Sequence, residues 1–459
     1  MLKDHVWTSS AELRLEIRQS GDEGRDVEHF RTRAAAVAAM EPGDPAREEI
    51  AENLLRELAA LSEAEESRRR EPSELTGIRA ASPGTKEDGL SGIALPSGRR
   101  LLDRIHGAWL GRCAGCLLGQ PVETWRRERL VGLLRDTGNY PPRRYISSAI
   151  PEGIRGRYGI SDDGTAYGSS AAGWVNNIRR MPEDDDINYM LIALKTLELR
   201  GRGFTPDDVG ERWLSDLPVL HLFTAERIAY RNLMNGLSPP LSASHRNPCR
   251  EWIGAQIRAD LYGYVNPGRP EAATGMAYWD ASVSHTKNGI YGSMFVAAML
   301  AAASVTEDIP SIVRCGLAWI PGESRYARAV RTVMEWRNEG IGAEDAIERL
   351  HRQWDESDPH HWCHAVSNGM VVCIGLLWGE GDLGSSIGTA VLASFDKDCN
   401  GATVGSVVGM ARGAAALPRR WTRPLRDSLE TGVSGFLRPR ISSLAERTAA
   451  LCAAPGAGG

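Results

Sequence analysis

The chain has 459 residues, 25% of them charged, and a net charge of −5. That length allows one large domain or two to three smaller ones, and the charge offers no global basic field for nucleic acid or an anionic membrane. No apolar run approaches the ~20 residues of a membrane span, the first stretch is too polar for a signal peptide, and eight scattered cysteines read as a reducing, cytoplasmic setting without disulfides.

Residues 1–70 read as a helical extension. In "AREEIAENLLRELAALSEAEESRRR", Ile50, Leu54, Leu55, Leu58 and Leu61 recur at helical spacing. Such an amphipathic helix needs a partner, and "VEHFRTRAAAVAAM" upstream is the candidate. From 71 to 100, Pro, Gly and Ser dominate and no period survives, which predicts a linker or irregular arm. The extension carries none of the acidic motifs described below, so the chemistry is expected to be independent of it.

From residue 101 the texture is helical nearly throughout. Gly107, Gly111 and Gly115 form a stripe on one face of a predicted helix. Glycine weakens a helix by up to ~1 kcal/mol, so a stripe implies close approach of another backbone. "INYMLIALKTLELRG", "GIYGSMFVAAMLAAASV" and "SNGMVVCIGLLWG" are apolar almost all round and predict buried helices. Strand alternation is scarce. The expectation is one all-α domain over 101–450, followed by a flexible tail from 451 to 459.

Two acidic clusters stand at helix mouths. Asp162 and Asp163 follow Ser161 and precede a helical run, which fits an N-cap as well as a ligand set. Asp396 and Asp398 flank Lys397; an extended turn would aim both carboxylates to one side and the lysine to the other. Paired carboxylates repel unless a cation lies between them, and an all-oxygen cage suits Mg²⁺ or Mn²⁺. The run Glu183 to Asp186 before "INYMLIALKTLE" reads as dipole-stabilising capping or as pocket lining.

Three segments in order resemble the ADP-ribosylglycohydrolase family. "GAWLGRCAGCLLGQPVE" is similar to its opening helix, "SDDGTAY" to a T-D-D-T element, and "FDKDCNGATVGSVVGMARGAAALPRRW" to G-G-D-T-D-T with the small-residue helix that follows it. The resemblance covers roughly 101–425. It implies a compact, orthogonal multi-helix bundle that holds one or two Mg²⁺ (Mn²⁺ in their place) between the second and third elements. It further implies Ser161, Asp162, Asp163, Asp396, Asp398 and Cys399 as ligands, and Glu123 or Asp163 as the acid/base. The implied reaction is hydrolysis at the anomeric carbon of a ribosyl group, on ADP-ribosylated protein or on a small N-ribosyl or nucleoside-like metabolite. The alternative is a silent ADP-ribose or nucleotide binder that keeps the fold. The sequence departs from the family pattern at Cys116, Gly164, Lys397 and Cys399.

Further candidates lie beside the buried helices. His285, Asn288, Gly289 and Tyr291 precede one of them, whose N-terminal amides suit a phosphate or sugar oxygen, and Asn400 offers an amide oxygen near the third element. The cluster "HHWCHAVSNGM" does not read as zinc, because no thiolate or histidine set recurs elsewhere at ligand spacing.

Overall fold

The leucines of the extension do find a partner. The computed structural model describes residue 10 and residues 12–42, 44–84, 88–163 and 170–452. In it α1 (Leu13–Asp22), α2 (Glu28–Ala38) and α3 (Pro45–Ala59) fold together. Leu54, Leu55 and Leu58 of α3 pack with Leu13 and Ile17 of α1 and with Phe30 and Val37 of α2, in a core separate from the main one. Asp44 caps α3 by accepting from the Ala46 N–H, with Pro45 at the first helical position. The segment expected as an irregular arm is partly helical: Leu75–Ala81 forms a short helix whose Ile78 is buried in the main core. An isoleucine with a deep pocket to fill overrides the Pro/Gly-rich composition around it.

The main body is helix packed on helix. Its principal members are α4 (Gly98–Gly119), α5 (Asp185–Arg200), α6 (Lys287–Ala303), α7 (Ala365–Gly379), α8 (Leu383–Ala393), α9 (Lys397–Arg412) and α10 (Ile441–Cys452), with shorter helices between. Among the described residues there is no strand, only two isolated bridges, Met181 with Leu429 and Trp252 with His364. The fold is all-α, as expected. Because α10 runs to Cys452, residues 451 and 452 are helical; the rest of the expected tail, 453–459, lies outside the described residues.

The glycine stripe meets a second stripe. Gly107, Gly111 and Gly115 of α4 face Gly409, Gly405 and Gly401 of α9, so the two helices run antiparallel with nothing but backbone between them. A Cβ on Gly405 would lie 2.7 Å from the Gly111 carbonyl carbon, and one on Gly111 would lie 2.8 Å from that of Gly405. The register continues to Gly119, which abuts the backbone of Lys397 and Asp398. This pairing sets the C-terminal end of α4 against the N-terminal end of α9.

A buried arginine fixes the third element of this centre. Arg112, on α4 and wholly enclosed, donates to Asp260 Oδ2 at 2.8 Å and to Asp186 Oδ1 at 2.9 Å, and its Nε donates to the Asp186 carbonyl at 3.0 Å. It ties the start of α5 to α4. Arg112 neutralises one oxygen of each carboxylate, and Asp186 Oδ2 accepts no hydrogen bond from any described group.

Candidate active site

The mouth of α9 is made by a strained turn. Ser394 and Phe395, between α8 and α9, both have positive φ (71° and 57°), each costing about 1–3 kcal/mol for a non-glycine residue. The turn delivers Asp396 as the N-cap of α9, at φ −83° and ψ 90°, and puts Asp398 in the first helical turn. The chain between the two carboxylates is therefore helical, not extended. Lys397 still points away from them, because it is buried and its ammonium donates to the backbone carbonyls of Glu123 (3.2 Å) and Trp125. Burial lowers its pKa to about 8.

The α4–α9 register brings Glu123 to the same place. One carboxylate oxygen each from Glu123, Asp396 and Asp398 lies within 4.8 Å of the others. Across from them stands the start of α5. Asp184 caps it by accepting from the Asp186 N–H at 3.0 Å, and accepts from Gln120 Nε2 at 2.9 Å. A cavity of about 360 Å³ opens between these elements. Its lining includes seven carboxylates (Glu123, Glu183, Asp184, Asp185, Glu226, Asp396 and Asp398) and, among the described residues, no Lys or Arg. Ile253, Gly254, Trp362 and Cys363 form the opposite wall.

This crowding has the expected electrical signature. The Asp398 charge, more than burial, holds the Glu123 carboxyl well above its ordinary range. Burial, then Asp398, raises Asp184 to about 7. Burial raises Asp396 and Asp185 strongly, with Asp398 and Asp184 respectively next in effect. Oδ1 of Asp396 and Oδ1 of Asp398 are buried and accept no hydrogen bond from any described group. Buried lone pairs of that kind, in a ring of oxygens, suit a hard divalent cation. Cys399 Sγ lies within the same 4.8 Å span of Asp186 and Asp398, but burial pushes its thiol far up, and a protonated thiol is a poor Mg²⁺ ligand.

Several expected site residues lie elsewhere. Ser161, Asp162 and Asp163 are exposed and stand outside the cavity lining. Asp162 is taken up by Arg155 at 2.8 Å, by Asn177 at 2.8 Å and by the Ser148 hydroxyl, which together hold its pKa down to about 2. Gly164 and the rest of that motif, through 169, lie outside the described residues. The place opposite Asp396 and Asp398 belongs to Glu183–Asp186. The signal for this was in the sequence, since that run directly precedes a long buried helix.

His285, Asn288, Gly289 and Tyr291 are also off the cavity. His285 Nδ1 meets the Ser284 hydroxyl at 2.8 Å, behind Glu226. Asn288 donates to Glu251 at 2.8 Å and accepts from the Tyr326 N–H at 2.9 Å. Gly289 packs on the Arg250 carbonyl, and the Tyr291 hydroxyl donates to the Pro72 carbonyl. These protein contacts take up the mouth of α6, and none of the four residues lines the cavity. Asn400 donates to Asn368 Oδ1 at 2.7 Å, one turn inside α9.

Lysine at 397 gives a test of this geometry. Lys397→Thr is expected to leave the stoichiometry and affinity of Mg²⁺ binding, read by calorimetry, unchanged. A newly gained ion, or a roughly tenfold tightening (about 1.4 kcal/mol), would place the ammonium in a cation position instead.

The fold and the cavity define a class: an all-α protein with a carboxylate-lined pocket at the mouths of two glycine-paired helices. The chain belongs to the ADP-ribosylglycohydrolase family, whose sequence profile matches residues 97–458. Among solved structures it is similar to one titled "ADP-ribosylglycohydrolase-related protein complex", at 19% identity and a TM-score of 0.45 over 77% of this chain and 100% of that one. No curated protein matches it in sequence. The family is one of glycohydrolases of ADP-ribosyl-type substrates. No helix among the described residues is long and apolar enough to cross a membrane.

Proposed function

We propose that this chain is a Mg²⁺-dependent hydrolase of the glycosidic bond at the anomeric carbon of a ribosyl group. The substrate is an ADP-ribosylated protein or a small N-ribosyl or nucleoside-like metabolite. The observation that carries the reading is the pair of unpartnered, buried oxygens, Asp396 Oδ1 and Asp398 Oδ1, inside a ring of carboxylates. The donor set fits a hard divalent cation; Asp396, Asp398 and Glu123, with the Asp184–Asp186 run opposite, would hold it. Bound there, such a cation supplies charge neutralisation, anchorage for ribose hydroxyls and a more acidic water.

The protein's own groups do the rest. Bond cleavage at an anomeric carbon passes through an oxocarbenium-like state, and a cavity rich in carboxylates stabilises the positive charge that develops there. Glu123 is the acid/base. Its backbone carbonyl is pinned by Lys397, and its pKa is set by the charge of Asp398. Ile253 and Trp362 give the cavity an apolar wall beside its carboxylates.

The test is release of ADP-ribose from ADP-ribosylated protein and, separately, turnover of a small N-ribosyl substrate, each with Mg²⁺ and with chelator. Mg²⁺-dependent product supports the reading. Tight ADP-ribose binding with no product on any substrate would instead make the chain a binding protein.

Stability gives an independent check. Groups whose folded pKa is raised bind more protons folded than unfolded, so their contribution is retained at low pH and lost as pH rises. For Asp184 the window runs from the ordinary carboxylate value, about 4, up to about 7. Without divalent cations the melting temperature is therefore expected to fall across that window. Added Mg²⁺ should restore it, by an increment that grows with pH. A Mg²⁺ increment independent of pH would count against cation binding by these carboxylates.

A further inference from the structure

Residues before 97 lie outside the segment matched by the family, yet they touch the cavity walls. One wall is the segment 250–254, whose Ile253 and Gly254 line the cavity; the other is 358–364, with Trp362 and Cys363. The two walls are joined by the bridge between Trp252 and His364, by the Trp252 indole N–H donating to His360 Nδ1 at 3.2 Å, and by the Ala365 N–H donating to the Glu251 carbonyl at 3.0 Å.

Helix α1 grips both. Glu16 and Glu23 enclose the Arg250 guanidinium, at 2.9 Å and 2.6 Å, with all three side chains buried. Gln19 Nε2 donates to Glu251 at 2.9 Å. On the other wall, Asp22 meets His360 Nε2 at 2.9 Å and Arg18 pairs with Asp358. Arg18, Gln19 and Asp22 of α1, with Glu16 and the C-terminal cap Glu23, thus end on segments lining the cavity, while the N-terminal cap Glu12 pairs with Arg227 at 2.6 Å. A helix that only covered apolar surface would not need this set of partners, and most apolar side chains of α1–α3 are spent on one another, with Leu15 packed on the main core.

We propose that α1 is a positioning element of the active site: Arg18 and Asp22, with Glu16, Gln19 and Glu23, hold segments 250–254 and 358–364 in the shape that receives the ribosyl substrate. This rests on the function proposed above only for the identity of the ligand. It reverses the expectation that the chemistry is independent of the extension. Asp184 is held by Gln120 and the Asp186 N–H, and among the described residues a wall reaches the α9 carboxylates through the long contact of Cys363 Sγ with Asp396 Oδ2, 4.0 Å, so α1 affects substrate affinity more than the chemical step.

The test uses the full chain. Asp22, Arg18 and Asp358 are partly exposed, at 38%, 35% and 30%, so Asp22→Ala and Arg18→Asp are expected to leave the protein folded, as checked by melting. Both variants should raise amide hydrogen exchange in 250–254 and 358–364, and weaken ADP-ribose binding about fivefold or more, raising KM with kcat nearly unchanged. Arg18→Lys, which keeps a cation opposite Asp358 and leaves the Asp358 cap of the His360 N–H intact, should largely preserve wall protection and affinity. Arg33→Ala, which breaks a pair with Glu57 inside the extension, should change neither. Unchanged exchange in the two walls would overturn the proposal, as would increased exchange with unchanged affinity. If the unaltered protein takes no ADP-ribose, the glycohydrolase reading falls, and exchange in the walls alone decides the role of α1.

Discussion

Gly405→Ala is expected to lower the unfolding free energy by about 3 kcal/mol or more, at or above the top of the range usual for overpacking. The added Cβ would meet the carbonyl group of Gly111, its carbon only 2.7 Å away. Backbone cannot swing aside as a side chain does, so α4 and α9 must separate along their length. Separation also moves Asp398 from Glu123, because Gly119 and the first turn of α9 are the last contact of the same series. The variant should therefore lose Mg²⁺ affinity along with thermal stability. Gly153→Ala is the control. It sits in the short helix Glu152–Tyr158 with open space around it, and it should be neutral or stabilising by up to ~1 kcal/mol. Equal melting temperatures for Gly405→Ala and the unaltered protein would show that the helices do not touch as described.

Asp398→Asn is expected to separate stability from activity. Asp398 contributes to the raised pKa of Glu123, Asp184, Asp185, Asp186 and Asp396, so it is the electrostatic centre of the cavity. Removing its charge while keeping its shape should relieve repulsion in the metal-free protein. The melting temperature should then rise above that of the unaltered protein at pH ~8. The gain should vanish near pH ~4, where the carboxylates of both proteins are protonated. Turnover should fall by at least ~10³-fold, about 4 kcal/mol of barrier, with loss of the Mg²⁺-induced stabilisation. A variant that is both less stable at pH ~8 and still stabilised by Mg²⁺ would mean that Asp398 is a structural acid.

The parts of this architecture that were legible in the sequence were those with a periodic physical cause. The stripe Gly107–Gly111–Gly115 announced a close helix partner, and the apolar helices announced burial. The third acidic element was legible too, because Asp396 and Asp398 stand directly before a small-residue helix. The second was misplaced. "SDDGTAY" and "PEDDDINYMLIAL" both put acids before a helical run, and pattern alone ranked them in the wrong order. What separates them is tertiary: Arg155, Ser148 and Asn177 consume Asp162, whereas Asp184 and Asp185 face Asp398 across the cavity. The same holds for the mouth of α6. His285 and Asn288 looked available for a ligand, but their partners, Ser284, Glu251 and Tyr326, come from the same element and from two others. The role of the extension was invisible for a similar reason, since Asp22 and His360 are joined only by folding.

The glycine pairing also bears on how the chain reaches its native state. Helix α4 opens the family-matched segment and α9 lies near its end, so the central contact of the molecule closes a loop that contains nearly all of it. Closure of that kind is entropically slow and contributes only once the intervening helices are made. Until then α4 must hold helical shape with three interior glycines and no partner, each weakening it by up to ~1 kcal/mol. During synthesis its small-residue face would stay open while everything up to Arg412 emerges. Fragments ending before α9 should consequently lack a native-like main core, while the separate core of α1–α3 is independent of it.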